Sequence, residues 1–585
     1  MSRDANPAFA RTLVDEWARA GVTEAVLAPG SRSTPLALAL AGDSRLRLHV
    51  FLDERSAAFF ALGAAKASRR PVVVLCTSGT AAAELFPAVV EARHSRTPLL
   101  VCTADRPPEL RDTGAGQTID QVGLFGSTPR WFVEVGTPDA DTTSWWRSLA
   151  SRAFAEAVGP PAGPVHLNLA FRDPLVPVAE PGGASADVAE PTRRPGGQPW
   201  TVSAARLSPP HTDDVDALVD AVGTGRRGVL MVGWGANVVP AAVQRFSAAA
   251  GWPVLADPLS GVRAGDGCVS TYDALLRDPA VAAALRPDVV VRVGAPLTNK
   301  AAVAWADDSV PQLLVDPDGA WLDPMRTVSV RVAADPDALL VAASERLSPP
   351  APLPVGSWLE TWLVFEAAAR NALDTLLDSW DAPFEGRVAR DVVSCLPGGA
   401  TLVVGSSMPV RDVESFVRPR TGLRFLSNRG ANGIDGFVST VLGAAAGGSS
   451  PVAALCGDLT FLHDAGGLLR SRDRGLDAVF VVVDNDGGGL FSFLPQAGLP
   501  NDTFEQVFAT PHGIDLAALA AVHGIPAERV DTAAGLVPAV VDAVKAGGVR
   551  VVVVTTDRAD NVSRHRQVWQ AVADAVVPLS RPGTA

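Results

Sequence analysis

The chain has little cysteine, and its cysteines are not spaced for a disulfide framework or a zinc site. Five of the 585 residues are cysteines, and none of them forms a Cys-x-x-Cys pair. The sequence therefore predicts neither a disulfide-rich secreted domain nor a cysteine-based metal site. Four of the five lie among apolar or small residues, where we expect reduced thiols in a core. The five are Cys76, Cys102, Cys268, Cys395 and Cys456.

Long hydrophobic runs are absent as well. No uncharged apolar run reaches about 18 residues, the length that a membrane-spanning helix needs. The first residues lack the apolar stretch of a secretion signal. We therefore expect a cytoplasmic protein with no membrane span.

Positive charge is in short supply. Acidic residues outnumber basic ones by 63 to 50, and the net charge is −13. An acidic balance of this size argues against a nucleic-acid partner. Lysine is scarce even among the basic residues, which we interpret as the codon bias of a GC-rich genome. The lysines are Lys66, Lys300 and Lys545.

What is present is the composition of a large globular protein. Hydrophobic residues make up 47% of the chain and charged residues 19%. Proline-rich stretches at residues 172–211 and 348–357 indicate linkers. They predict three domains, residues 1–185, 186–350 and 351–585. Short apolar strands alternate with helices in each of them, which predicts three doubly wound parallel sheets of the α/β class. Such sheets bind ligands at the carboxyl ends of their strands.

Polar residues follow two strands of the last domain. The strand VAALC ends at Gly457-Asp458, and the strand VFVVVD is followed by Asn485 and a run of glycines that begins at Gly487. Carboxylate and amide oxygens at one sheet edge suit a hard cation such as Mg²⁺ or Ca²⁺. The glycines let a carbonyl and several N–H groups face a phosphate. Two ordinary strand-end turns would give the same pattern.

In the first domain, Asp53-Glu54 separates a strand from an apolar helix. An acidic residue at the start of a helix is favoured by the helix dipole, so Glu54 has a structural interpretation. A different motif in the middle domain resembles a dinucleotide-binding loop, GVLMVGWGANVVP at residues 228–240. Val238 stands where its third glycine belongs, so we predict no dinucleotide there.

Several longer segments, taken together, resemble one enzyme family. They are APGSRSTPLALAL (28–40), LDERS (52–56), TSGTAAAELFPAVVEA (77–92), TADRPPEL (103–110), SNRGANGIDGFVSTVLG (427–443) and VVVDNDGGGLFSFLP (481–495). These segments look like those of the 2-succinyl-5-enolpyruvyl-6-hydroxy-3-cyclohexene-1-carboxylate synthase family, the MenD family of thiamine-diphosphate enzymes. The first and last domains carry the resemblance, and the middle one matches mainly at PLTNK (296–300).

The resemblance implies a fold, a reaction and cofactors. The fold has a pyrimidine-binding and a diphosphate-binding domain on either side of a central domain. The reaction is the decarboxylation of 2-oxoglutarate and the 1,4-addition of the succinyl unit to isochorismate, in menaquinone biosynthesis. The implied cofactors are thiamine diphosphate and Mg²⁺, or Mn²⁺. The implied assembly is a homodimer or a dimer of dimers with shared active sites. The alternatives are another carboligase, such as acetohydroxyacid synthase, and a non-catalytic homologue.

The resemblance also assigns roles to single residues. Glu54 is implied as the catalytic residue, which hydrogen-bonds the aminopyrimidine ring. The implied metal ligands are Asp458, Asn485 and Gly487. The implied cofactor-binding residues are Ser406, Ser407, Met408, Ile434, Gly457, Asp458, Leu459, Thr460 and Asn485.

Each of the two substrates carries two carboxylates, and arginine is the side chain that pairs with a carboxylate through two hydrogen bonds. The last domain provides two of the candidate arginines, and Lys300 is the candidate from the middle domain. Leu490 and Phe491 are expected to form an apolar pocket wall. The implied substrate-binding residues are Ser31, Arg32, Arg106, Gln117, Lys300, Arg411, Arg429, Leu490 and Phe491.

The chain departs from common patterns at two positions. Leu459 replaces the third residue of the Gly-Asp-Gly motif of the wider superfamily, and the MenD family tends to share that change. Gly116 stands where the family usually has Asn, which removes an amide from the expected substrate contacts.

Overall fold

The computed structural model describes residues 4–177, 188–204, 206–224, 227–347, 356–448, 451–469 and 471–580. Three six-stranded sheets with flanking helices account for this part of the chain. The strands of each sheet pair in parallel, so the predicted fold class is confirmed. Parts of both predicted linkers, residues 178–187 and 348–355, lie outside the described residues.

The first sheet has the strand order β2-β1-β3-β4-β6-β5. Strands β3, β4 and β6 are buried along their whole length, as parallel strands covered on both faces by helices must be. The strands are β1 (Glu24–Leu27), β2 (Arg47–Val50), β3 (Val72–Cys76), β4 (Leu99–Asp105), β5 (Trp131–Gly136) and β6 (Pro164–Ala170). The helices are α1 (Asn6–Ala20), α2 (Thr34–Gly42), α3 (Glu54–Ser68), α4 (Thr80–Glu84), α5 (Phe86–His94) and α6 (Thr143–Val158).

The second sheet has the order β12-β11-β10-β7-β8-β9. Its strands are β7 (Gly228–Val232), β8 (Val254–Ala256), β9 (Cys268–Val269), β10 (Val289–Val293), β11 (Gln312–Val315) and β12 (Val328–Val332). The helices are α7 (Thr212–Thr224), α8 (Pro240–Ala250), α9 (Tyr272–Leu275), α10 (Pro279–Ala284), α11 (Lys300–Trp305) and α12 (Pro336–Arg346).

The third sheet has the order β14-β13-β15-β16-β18-β17. Its strands are β13 (Thr401–Val404), β14 (Arg424–Leu426), β15 (Val452–Gly457), β16 (Ala478–Asp484), β17 (Ala527–Val530) and β18 (Val549–Thr555). The helices are α13 (Trp358–Asp378), α14 (Glu385–Cys395), α15 (Met408–Phe416), α16 (Phe437–Ala446), α17 (Asp458–His463), α18 (Asn501–Phe504), α19 (Leu516–Val522), α20 (Ala533–Ala546) and α21 (Arg558–Val576).

The chain divides into two compact units. The first unit comprises residues 1–206, 428–450 and 460–476, and therefore the first sheet and helix α16. The second unit comprises residues 207–427, 451–459 and 477–585, and therefore the other two sheets. Among the described residues, no helix combines the length and the hydrophobicity that crossing a membrane requires.

Helix α3, the apolar helix that begins at Glu54, packs against α16 within the first unit. A Cβ at Gly63 would lie 2.0 Å from the carbonyl oxygen of Thr440, and a Cβ at Gly443 would lie 2.0 Å from that of Phe60. Glycine at both positions therefore lets the two backbones touch. The sequence left open whether this helix packs within its own chain or on a second subunit, and the structure gives it an intrachain partner.

Candidate active site

Asp458 and Asn485 follow neighbouring strands of the third sheet. Strands β15 and β16 pair so that Gly457 lies beside Val483, and the two polar residues come directly after them. The buried Asp458 carboxylate accepts hydrogen bonds from the backbone N–H groups of Asn485 (3.2 Å) and Gly487 (2.8 Å). The structure therefore places Asp458 and Asn485 together at one edge of the third sheet, as the sequence predicted.

The donor set at this edge fits a hard cation. The side-chain oxygen Oδ1 of Asn485 is buried and has no hydrogen-bond partner within the described residues. Burial raises the pKa of Asp458, against hydrogen bonds from the N–H groups of Gly487 and Leu459 that lower it. A divalent cation between these oxygens would satisfy the amide oxygen and offset the cost of burying the carboxylate.

His512 joins this edge, although no motif in the sequence marked it. Its Nε2 lies 3.3 Å from Asp458 Oδ2 and 3.9 Å from Asp484 Oδ1, and one ligand atom from each of the three lies within 4.8 Å of the others. The Nδ1 atom of His512 accepts a hydrogen bond from the N–H of Ile514 (3.0 Å). The proton of the neutral ring therefore resides on Nε2, and His512 donates to Asp458.

Glu385, the first residue of α14, sets the orientation of the Asn485 amide. The Nδ2 group of Asn485 donates to Glu385 Oε1 (2.8 Å), which directs the amide oxygen the other way. Burial and the nearby charge of Asp412 raise the pKa of Glu385 to about 7. The sequence reasoning missed Glu385 because it lies 100 residues before Asn485 and on a different element.

Gly487 can only be glycine. Its φ is +136°, and a Cβ there would lie 2.1 Å from the carbonyl oxygen of Ala509. The carbonyl oxygen of Gly487, a residue that the family resemblance implies as a metal ligand, accepts a hydrogen bond from the N–H of Gly489 (2.9 Å). A second lone pair on that oxygen remains for a ligand.

The other residues expected to bind the cofactor lie where strands end and helices begin. Ser407, directly before α15, has φ 75° and ψ −135°, a conformation that residues other than glycine rarely adopt. Strain of this kind persists where the surrounding structure enforces it, and it clusters at functional sites. Ser406 precedes Ser407, Met408 begins α15, Leu459 and Thr460 follow Asp458 in α17, and Ile434 is half-buried just before α16.

A pocket of about 240 Å³ in the second unit gathers four of the residues expected at the site, two cationic and two apolar. Lys300 begins α11, and Arg411 lies in α15, where it donates to the carbonyl of Ser407. The four are Lys300, Met408, Arg411 and Leu490.

Phe493 lines this pocket, whereas Phe491 does not. Residues Gly489–Phe493 form a 3₁₀-helix, in which side chains three positions apart share a face. Leu490 and Phe493 therefore face the same side, and the ring of Phe491 packs 5.5 Å from that of Phe508. The sequence alone could not show which of the two phenylalanine rings lines this pocket.

A buried ion pair also lines the pocket, and sequence reasoning did not find it. His565 Nε2 lies 3.0 Å from Asp412 Oδ1, and His565 Nδ1 lies 2.8 Å from the carbonyl oxygen of Asn561. Burial lowers the pKa of His565, but Asp412 and the Asn561 carbonyl outweigh it and raise that pKa above its usual value. Arg277 lines the same pocket, with its guanidinium 3.8 Å from the ring of Trp569.

In the first unit, three neighbouring strands place cationic and polar groups at one edge. Arg32 follows β1, Ser78 follows β3 and Arg106 follows β4. Arg106 donates to the Ser78 hydroxyl and to the backbone carbonyl of Gln117 (2.7 Å). Burial lowers the pKa of Arg106, and the positive charge of Arg32 lowers it further. The two guanidinium groups therefore repel each other, and an anion bound here would relieve that repulsion.

The Nη1 group of Arg32 donates to the carbonyl of Phe171 (2.8 Å) and to Oδ2 of the exposed Asp173 (3.4 Å). Its Nε is buried and has no partner among the described residues. Ser31 beside it is exposed. Gln117 is exposed too, and its Nε2 donates to the carbonyl of Ser78 (3.1 Å). Gly116 next to it is exposed and brings no side chain to this edge.

Glu54 is the first residue of α3 and is half-buried. Asp53 caps the helix by accepting hydrogen bonds from the N–H groups of Arg55 (2.8 Å) and Ser56 (3.3 Å). Burial raises the pKa of the Cys76 thiol, and the charge of Glu54 raises it further, which places Glu54 near the end of β3. Asp53 supplies the capping hydrogen bonds of α3, so the start of the helix does not depend on a hydrogen bond from Glu54.

Arg429 lies in the loop before α16. It is half-buried, and its Nε is buried without a partner in the described part of the chain.

Known protein families match the parts of the chain that contain the edges of the first and third sheets. Residues 8–124 match the family described as thiamine pyrophosphate enzyme, N-terminal TPP binding domain. Residues 196–404 match the middle domain of thiamine pyrophosphate enzymes, and residues 407–554 match the C-terminal TPP binding domain. The two edges described above lie within the first and last of these ranges, apart from Glu385, which precedes the last.

Proteins named 2-succinyl-5-enolpyruvyl-6-hydroxy-3-cyclohexene-1-carboxylate synthase are similar over nearly the whole chain. The one from Thermobifida fusca (strain YX) is 48% identical, over 97% of this chain and 99% of its own length. The one from Geobacillus thermodenitrificans (strain NG80-2) is 42% identical, over 98% of each chain. The crystal structure of benzoylformate decarboxylase from Polynucleobacter necessarius has a TM-score of 0.70 at 17% identity and covers 95% of this chain and 99% of its own. At that identity the likeness concerns the fold alone.

Proposed function

The chain belongs to the family of 2-succinyl-5-enolpyruvyl-6-hydroxy-3-cyclohexene-1-carboxylate synthases, which are thiamine-diphosphate enzymes. From this premise we propose that it decarboxylates 2-oxoglutarate and adds the succinyl unit to isochorismate. The observation that carries the proposal is the pairing of cationic side chains. Arg32 and Arg106 follow strands of the first sheet, and Lys300 and Arg411 line the pocket of the second unit. Both substrates are dicarboxylates, and such side chains match them. Acetohydroxyacid synthase uses an acceptor substrate with an uncharged side chain, so it would not need these cationic groups.

The residues fit the cofactor in chemistry. When bound, thiamine diphosphate accepts the electron pair that carbon dioxide leaves behind and passes it to the acceptor carbon. Glu54 would hold a proton against the ring nitrogen of the pyrimidine. Asp458, the Asn485 side-chain oxygen and the Gly487 carbonyl would hold Mg²⁺ or Mn²⁺ against the diphosphate.

The remaining residues would bind and orient the substrates. Lys300 and Arg411 would bind carboxylates in the pocket, where Leu490 and Phe493 provide apolar walls. Arg32 and Arg106 would bind a carboxylate between two guanidinium groups that otherwise repel each other. Fixed cations of this kind need no reorganisation when charge moves during the reaction.

The decisive experiment is an assay of cofactor-depleted protein. With thiamine diphosphate, Mg²⁺, 2-oxoglutarate and isochorismate, we expect release of carbon dioxide and formation of the cyclohexene product. Leaving out the cofactor should abolish both. Pyruvate in place of 2-oxoglutarate is the matched control, since it lacks the second carboxylate. Faster turnover of pyruvate would point to another carboligase, and no turnover of either would point to a non-catalytic homologue.

Replacing Arg411 or Arg429 by Lys should lower kcat/KM by about 10- to 100-fold with little change in Tm. Lys keeps the charge but lacks the planar pair of donors, and a hydrogen bond to a charged group is worth about 1.5–3 kcal/mol. Steady-state kinetics with each substrate varied in turn measures the effect. Arg418→Lys is the control, because this exposed residue pairs with Asp374. Wild-type kinetics in both site variants would contradict the carboxylate-binding role.

We also propose that the working assembly is a homodimer, or a dimer of dimers, in which two chains contribute to each active site. Glu54 and Asp458 come from opposite ends of the chain, and a shared site would draw one of them from each subunit. Mixing Glu54→Gln chains with Asp458→Ala chains, under conditions that exchange subunits, should then restore about a quarter of wild-type activity. Half of the dimers would be mixed, and each mixed dimer would have one intact site. No recovery in proven mixed dimers would mean that each site is built within one chain.

A further inference from the structure

Glu91 of helix α5 is fully buried and receives three successive backbone N–H groups. The N–H of Gly430 donates to its Oε1 (3.1 Å), and those of Ala431 (2.7 Å) and Asn432 (3.2 Å) donate to its Oε2. All of these residues belong to the first unit. Three consecutive amides that converge on one carboxylate fix the backbone of that loop segment.

Lys66, one of the three lysines of the chain, completes this arrangement from helix α3. Its ammonium group is nearly buried and lies 2.9 Å from Glu91 Oε1 and 3.0 Å from Asn428 Oδ1. Asn428 in turn donates to the hydroxyl of Thr440 in α16 (2.8 Å). Burial raises the pKa of Glu91, but Lys66 and the loop amides outweigh it and lower the pKa below its usual value. The lowered pKa favours the ionised carboxylate of Glu91.

Arg429 is the residue between these two anchors. Asn428 before it is held by Lys66, and Gly430 after it is held by Glu91. Gly430 sits so close to α5 that a Cβ there would lie 2.7 Å from the N atom of Ser95. The backbone on both sides of Arg429 is thus fixed by a buried ion pair, while its guanidinium retains a buried Nε without a partner among the described residues.

We propose that Glu91 and Lys66 are positioning residues that hold Arg429 in place for a substrate carboxylate. The inference rests on the proposed function, in which Arg429 binds such a carboxylate. Two-point binding of a carboxylate by a guanidinium depends on orientation, and displacements of about 1 Å cost about 100-fold in rate at such sites. A buried pair also affects stability, so the test must separate the two roles.

A double-mutant cycle separates them. Glu91→Gln keeps the volume of the side chain but places an NH₂ group against amides that need an acceptor. We expect it to raise the KM of one substrate about 10-fold, with a smaller change in kcat. In an Arg429→Lys background, where the two-point contact is already lost, the same change should raise KM less than 3-fold. In an Arg106→Lys background it should keep its full effect, since residues without shared contacts act additively.

Equal losses from Glu91→Gln in the two backgrounds would overturn the proposal, because a purely structural effect does not depend on which arginine is changed. A lowered Tm with unchanged KM for both substrates would overturn it as well. If Glu91→Gln does not fold, Lys66→Arg replaces it in the same cycle, since it keeps the charge and moves the donors. A wild-type protein that turns over neither substrate would instead refute the proposed function.

Discussion

Replacing Glu54 by Gln should lower kcat by a factor of about 10² to 10⁴, the usual size of an acid–base contribution. Gln has the same shape and can hydrogen-bond the pyrimidine ring, but it cannot hold the proton as a carboxyl group does. Thiamine diphosphate should therefore still bind. Steady-state kinetics at saturating cofactor gives kcat, and calorimetry gives the cofactor affinity.

The neighbouring Asp53 provides the matched control for this change. Asp53 makes both hydrogen bonds that cap helix α3, so Asp53→Ala should cost about 0.5–2 kcal/mol of stability. Its effect on kcat should be small compared with that of Glu54→Gln. Comparing the two variants therefore distinguishes a loss of stability at the start of α3 from a loss of catalysis by Glu54. A Glu54→Gln enzyme that keeps more than about a tenth of wild-type kcat would show that Glu54 has no acid–base role.

The sequence predicted the architecture because buried parallel strands leave a clear signal. Strands such as β3 (VVVLC) and β16 (AVFVVVD) are continuous apolar runs, and polar or glycine residues follow them directly. The topology then places those residues at one sheet edge without further information. Asp458 and Asn485 were found in this way, whereas Arg106, the reaction and its substrates came from the family resemblance.

Other residues lay beyond that reasoning because they reach the site from distant parts of the chain. His512 and Glu385 belong to no motif, and only the folded chain brings them to Asp458 and Asn485. Phe493 replaces Phe491 in the pocket because the local helix is of the 3₁₀ type, which its composition does not reveal. Proline-rich linkers indicate where domains end along the chain. They do not show which helices pack together, such as α16 on α3.

Asp458→Ala should abolish the dependence of cofactor binding on Mg²⁺. Asp458 and the buried side-chain oxygen of Asn485 are the groups that would hold the cation against the diphosphate, and one of them would be gone. Calorimetric titration with thiamine diphosphate, with and without Mg²⁺, measures this. Asp477→Ala is the control at the opposite end of β16, where this exposed residue accepts a hydrogen bond from the N–H of Gly548 (2.6 Å). Equal affinities with and without Mg²⁺ in the wild type would exclude a metal at this edge.

Thermal melting of the protein without ligands offers a second measurement. It shows whether a variant that fails to bind is still folded. Asp458→Ala leaves the amides of Leu459, Asn485 and Gly487 without their acceptor, so Asp458→Asn is the better variant here. Burial raises the pKa of Asp458, which means that its ionised form opposes folding at neutral pH. Asp458→Asn removes that charge and keeps one acceptor oxygen, although its NH₂ group must face one of these donors. Without metal it should therefore melt above Asp458→Ala. Adding Mg²⁺ and thiamine diphosphate should raise the Tm of the wild type alone, because only a ligand that binds the native state stabilises it. An equal rise in both proteins would show that the charge of Asp458 does not hold the metal.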